Sequence, residues 1–210
     1  MFKKLSYPNK LIKTILSLNK LYLRLNVVPN ERGEYMSKMT YNKNTYLSSV
    51  YKSFLILGMY SENGEGWEQS KTIILNNRNI YILLRVLKRY IDNIYNADIF
   101  AIDSGGHIII HSDVAAQCKE LIKLPYSNNS SILLHPTVLR DKDDVEYEGT
   151  LLFLNKSENY IELNIDDLEC LYHTLKRIDI DLMSQLMVNS ILKEDIASTP
   201  VVENDRRKLW

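Results

Sequence analysis

The sequence predicts an α+β fold, a tandem repeat of a four-stranded antiparallel sheet followed by a helix, with a short N-terminal helix. Three observations predict it. The stretch 72–89 returns without a gap 88 residues later as 160–177, matching Ile73/Ile161, Leu75/Leu163, Asn76/Asn164, Leu83/Leu171, Leu87/Leu175, Lys88/Lys176 and Arg89/Arg177, with Ile80/Leu168 conservative. Within each copy the apolar period changes from two to three and four at the Asn, as when a strand gives way to a helix. Strand-like runs bounded by turn residues precede each copy.

Taken in order, residues 1–19 carry Lys3, Lys4, Lys10 and Lys13 and place Leu11, Ile12, Ile15 and Leu16 at helical spacing, which predicts a basic amphipathic helix or arm. Lys10 and Lys13 interrupt the apolar core that a secretory signal needs. Residues 20–96 form the first repeat. Leu21, Leu23, Leu25 and Val27 alternate with Tyr22, Arg24 and Asn26 in a first strand, and 29–33 is a turn. Strands are expected over 34–41, 46–59 and 67–75, the last two joined by a glycine-containing loop at 61–66. The helix that follows puts Ile80, Leu83, Leu84, Leu87, Ile91 and Ile94 on one stripe, and Asn76 supplies an oxygen for its free N–H groups.

Residues 97–193 form the second repeat. A hairpin is expected from 98–102 and 107–111 about Ser104, Gly105 and Gly106, then a short helix over 113–123. Strands follow from Ser131, with Pro136 marking an edge or bulge, and over 148–155 and 160–164. The second helix stripes Leu168, Leu171, Leu175 and Ile178 and continues through Leu182, Leu186 and Ile191 after a break near Asp179. Residues 194–210 read as a mobile tail.

At 45% hydrophobic residues the chain can build a core, and no apolar run reaches membrane-spanning length, so no membrane partner is expected. The expected location is cytoplasmic, the host cytoplasm for a phage protein, with an organellar one as the alternative. Cys118 and Cys170 have no metal-type spacing and read as buried thiols. The net charge of zero hides a split: 1–96 holds 15 Lys and Arg against 6 Asp and Glu, whereas 97–210 holds 11 against 20. Ten of the 14 tyrosines lie in the first half. A basic, aromatic half points to a polyanion partner.

No catalytic constellation is visible. Asp103, Ser104, Gly105 and Gly106 spell the string around a chymotrypsin-like nucleophile, but the first histidine is His107, after the serine, where that triad needs it before. His107 and His111 with Asp103 and Asp113 lack a further ligand of matching spacing. The acidic run 141–144 lacks the glycine and closing glutamate of a calcium loop, and no glycine-rich phosphate loop occurs. The expectation is a non-enzymatic protein with no metal and no cofactor. What remains is a sheet in which rings and cations interleave: Tyr22, Arg24, Lys38, Tyr41, Tyr51, Lys52, Trp67 and Lys71. Rings stack on unpaired bases and cations follow the phosphates, so these eight are the candidate nucleic-acid-binding residues. Tyrosine also favours strands for packing alone, which is the competing account of each ring.

Two copies of four strands and a helix, carried by 72–89 and 160–177 and the runs before them, resemble the plan of the Whirly-like proteins, a duplicated positive-cofactor fold. The lysine-glycine-lysine-alanine stretch of plant Whirly proteins is absent, so no residue is carried over. The resemblance implies single-stranded DNA or RNA binding along the sheets and homo-oligomers formed through the helices. A phage or organellar role in replication, recombination or transcription fits it. The competing expectation is a protein-interaction module whose acidic half binds a polymerase or other replication or transcription protein.

Overall fold

A computed structural model describes residues 10–18, 20–41, 44–60, 71–96, 100–125, 130–155 and 158–198. In chain order these form β1 (Leu11–Leu18), β2 (Leu21–Val28), β3 (Met36–Tyr41), β4 (Asn44–Ser49), β5 (Lys52–Met59), β6 (Thr72–Leu75), α1 (Asn77–Asn96), β7 (Phe100–Ile102), β8 (Ile108–Ile110), α2 (Ser112–Cys118), β9 (Glu120–Lys123), β10 (Ser131–Arg140), β11 (Glu146–Leu154), β12 (Tyr160–Asn164), α3 (Ile165–Arg177) and α4 (Ile180–Ser198). The class is α+β with antiparallel sheets.

The first sheet has the order β1-β2-β5-β6. Leu55 pairs with Leu75 and Leu57 with Ile73, and the Tyr60 amide donates to the Lys20 carbonyl at 2.7 Å, which sets the end of β5 beside the start of β2. The first sheet departs from the sequence expectation at two places. Leu11–Leu18 is a strand rather than part of an N-terminal helix. Its apolar spacing suits a helix, but Ile12, Thr14 and Ile15 are β-branched, and β2 supplies a ladder two residues later. Residues 1–9 lie outside the described residues. The expected strand 46–59 is broken at Val50 and Tyr51, and its first part pairs with β3 in a separate hairpin. The Val50 amide closes that hairpin by donating to the Tyr35 carbonyl at 3.0 Å. The 29–33 turn is present: the Asn30 side-chain oxygen accepts from the Arg32 and Glu34 amides, and Gly33 takes the positive φ of 75° that glycine tolerates.

The second sheet has the order β12-β11-β10-β9, a meander. Its buried face carries Ile122, Ile132, Leu134, Leu152, Leu154, Ile161 and Leu163, all at most 2% exposed. Residues 120–123, expected to continue a helix, form β9 because they find a ladder on β10, and α2 stops at Cys118. Pro136 lies beyond the pairing of β9, where β10 is laddered on one flank only. Leu11–Leu18, β2, β5 and β6 on one side, and β9 to β12 on the other, each end in an asparagine that opens a helix.

Those two asparagines act alike. Asn76 accepts from the Asn79 amide at 2.8 Å, and Asn164 accepts from the Asp167 amide at 2.7 Å while the Asp167 carboxylate accepts from the Asn164 amide. Every apolar pair matched between the copies is buried in both, from Ile73/Ile161 to Leu87/Leu175. Tyr90 is fully buried on α1, its hydroxyl 3.0 Å from Thr150 Oγ1 on β11; burial pushes its pKa well up. The break near Asp179 is real, since its carboxylate accepts from the Leu182 amide at 2.9 Å and caps α4. That helix runs to Ser198, past the expected start of the tail at 194; residues 199–210 lie outside the described residues.

Contacts divide the chain into two compact units, one of Met1–Leu11, Val27–Ser53 and Asp179–Trp210, the other of Ile12–Asn26 and Phe54–Ile178. The first contains the β3–β4 hairpin and α4. The second runs across the expected 96/97 boundary between repeats and contains α1, α2, α3 and the second sheet.

Replacing Asn76 or Asn164 by Ala removes a helix cap. Each variant is expected to lose about 1 kcal/mol in urea unfolding, with the larger loss at Asn164, where a reciprocal pair is broken.

Candidate nucleic-acid interface

The structure places the eight residues singled out from the sequence in different settings. Tyr22 is 3% exposed. Its ring packs at 4.7 Å against Tyr60, and the Arg24 guanidinium sits 4.2 Å above it while donating to the Tyr60 hydroxyl at 3.0 Å. Gly58 lies under this ring, and a methyl group there would overlap it. Tyr22 and Arg24 therefore serve the packing of the first sheet, and the Tyr22 ring is buried within the chain itself. Lys38 is exposed on the hairpin, opposite Leu47, and Tyr41 stands opposite Asn44 at its end. Tyr51 is half-buried between β4 and β5, and Lys52 is exposed at the start of β5. Lys71 is half-buried before β6, its carbonyl accepting from the Met59 amide. Trp67, with the 61–66 loop, lies outside the described residues. Lys38, Tyr41, Tyr51 and Lys52 belong to the first unit, and Tyr22, Arg24 and Lys71 to the second.

The second unit has a different cationic, aromatic surface. α1 buries Ile80, Leu83, Val86, Leu87, Tyr90, Ile91 and Ile94, so helical geometry turns Tyr81, Arg85, Lys88, Arg89 and Asp92 outward. α3 buries Leu168, Leu171 and Leu175 and presents Tyr172 and Lys176. The two helices pack together, and between their outer faces runs an open groove of about 470 Å³ lined by these side chains with Leu84 and Asn93. Tyr81 is 67% exposed, with a free ring face of the kind Tyr22 lacks.

Among the described residues, four cations and one carboxylate line the groove. Lys88 Nζ lies 2.7 Å from Asp92, a contact that holds the lysine pKa above its ordinary value. Arg89 reaches Glu120 on β9 at 2.7 Å. Lys176 Nζ lies 5.8 Å over the Tyr172 ring. Among the described residues, neither Arg85 nor Lys176 has a carboxylate within ion-pair distance. Nearby, the Tyr95 hydroxyl donates to Glu169 at 3.0 Å and links the two helices.

One signal in the sequence bears on this groove: Lys88 and Lys176 are matched positions of the two copies. Tyr81, Arg85 and Tyr172 sit on the polar sides of the two apolar stripes, which the same periodicity exposes.

Asp103 accepts from the Gly105 and His107 amides at 2.8 and 2.9 Å, so Ser104 sits in the β7–β8 turn. The His107 amide, chief among these donors, lowers the Asp103 pKa. Among the described residues no three His, Cys, Asp or Glu side chains gather as a metal would need, and no helix is long and apolar enough to cross a membrane. Cys118 is buried, whereas Cys170, expected to be buried, is exposed because Leu168 and Leu171 take the inner face of α3. No family model, curated protein or solved structure matches the chain.

Tyr22→Ala removes a ring from a closed cluster and is expected to cost about 3 kcal/mol. Gly58→Ala forces the same ring aside at about 1–3 kcal/mol, and urea unfolding of the two variants checks both values.

Proposed function

We propose that this chain is a non-enzymatic, sequence-tolerant single-stranded nucleic-acid-binding protein acting in replication, recombination or transcription. The observation that carries the proposal is the groove between α1 and α3, where Arg85, Lys88, Arg89 and Lys176 converge with Tyr81 and Tyr172 around one carboxylate. Like charges brought together in an open groove repel, and a polyanion relieves that repulsion. A solvent-exposed tyrosine beside them offers a face to an unstacked base, which a paired base inside a duplex cannot use. The twin asparagine caps and the matched buried positions support a duplicated unit, the plan implied by the Whirly-like resemblance. In this reading the binding surface lies on the outer faces of the helices rather than on the first sheet.

Fluorescence anisotropy with a labelled single strand of about 30 nucleotides, longer than the roughly 4–16 of a small binding fold, tests it. Three to four phosphate contacts predict that log affinity falls against log salt with a slope of about −2 to −3. Tyr81→Ala should weaken binding roughly fivefold or more, and Arg85→Ala should weaken it and flatten the slope by somewhat under one. Absence of binding at low salt sinks the proposal. Capture of one stoichiometric protein partner in its place would select the interaction module acting through the acidic half.

A further inference from the structure

The groove contains its own anion. Asp92 is the one carboxylate among its lining residues, and it rests on Lys88, one of the two lysines at matched positions of the repeat. The other, Lys176, comes from α3 and has no carboxylate partner among the described residues. Its ammonium lies 5.8 Å over the ring of Tyr172, which lines the groove together with Lys88. The ion pair is poorly suited to stabilising the helix. Lysine precedes aspartate at i,i+4, the less favourable order along the axis, and the two side chains are 61% and 52% exposed. Water and salt compete freely for such a pair. A carboxylate presents two acceptor oxygens to an ammonium much as a phosphodiester does, so the lysine can exchange one for the other.

We propose that Lys88 and Lys176 form a clamp for a backbone phosphate of a single strand, and that Asp92 occupies the clamp until a phosphate displaces it. The inference rests on the nucleic-acid reading and adds to it which phosphate contacts are made and what opposes them. Asp92 acts as an internal competitor: it lowers affinity for weak or short anions, while a strand that also engages Arg85 and Tyr81 displaces it. Arg89, held by Glu120 on the second sheet, stays tied down.

The test uses the full chain and the same labelled single strand. Asp92→Asn is expected to tighten binding about threefold to tenfold and to steepen the salt slope by somewhat under one, because no freed carboxylate then takes up a cation as the strand releases one. Lys176→Ala and Lys88→Ala should each weaken binding about fivefold and flatten the slope. In the Lys88→Ala background the gain from Asp92→Asn should vanish, because the two act as one unit. Asp113→Asn, an exposed acid on α2 outside the groove, controls for net charge and should change affinity less than twofold. The clamp is overturned, with the nucleic-acid reading intact, if the wild type binds but Asp92→Asn leaves affinity and slope unmoved. It is equally overturned if the gain persists without Lys88 or is matched by Asp113→Asn. If neither wild type nor Asp92→Asn binds at low salt, the nucleic-acid reading itself falls.

Discussion

The burial of one stripe of α1 is the constraint from which the rest of the second unit follows. Ile80, Leu83, Leu87, Ile91 and Ile94 leave water together, each such side chain contributing about 1.5–3 kcal/mol, and they fix the rotation of the helix about its axis. Tyr90 sharpens that setting, since its hydroxyl must meet Thr150 on β11 to avoid burial without a partner. Once the rotation is set, Tyr81, Arg85, Lys88 and Asp92 have nowhere to go but outward. Arg85, Lys88 and Arg89 of the first half are thus gathered by the helix, and α3, oriented by its own three leucines, brings Lys176 alongside.

The same hydrophobic demand closes both faces of β2. β2 alternates as expected, with Leu21, Leu23, Leu25 and Val27 in the core, but its other face is closed as well: Tyr22 and Asn26 are also buried. A strand between two neighbours in a small unit can be covered on both sides, and then alternation no longer separates core from solvent. Gly58 on the neighbouring strand leaves the space that Tyr22 fills, and Arg24 spends its charge on the rings of Tyr22 and Tyr60. Ring next to cation is the signature of base stacking and equally of an internal cation–π cluster.

What is legible in the sequence is whatever depends on local periodicity and capping. The helix stripes, the two asparagine caps, the 29–33 turn, the β7–β8 hairpin and the break at Asp179 all rest on interactions within a few residues. What is not legible depends on partners far along the chain. Leu11–Leu18 has helical apolar spacing and becomes a strand because β2 offers hydrogen bonds. Residues 120–123 leave the helical pattern because β10 offers a ladder. The groove lies in the same class: its halves, α1 and α3, are 88 residues apart in the matched copies, and periodicity shows each outer face without showing that the two meet.

Charge makes the same point more sharply. The basic first half and acidic second half suggest a polyanion partner for one half alone, yet the groove draws Lys176 from the acidic half and sets Asp92 of the basic half among the cations. Glu120, also from the acidic half, restrains Arg89. Net charge along a sequence is an average over residues that the fold separates, whereas affinity for a phosphate depends on the few charges within about 10 Å of it, the distance over which salt leaves a field intact. The relevant balance is therefore that of the groove: among the described residues, four cations and one carboxylate line it, Arg85 and Lys176 have no carboxylate within ion-pair distance, and Lys88 rests on Asp92.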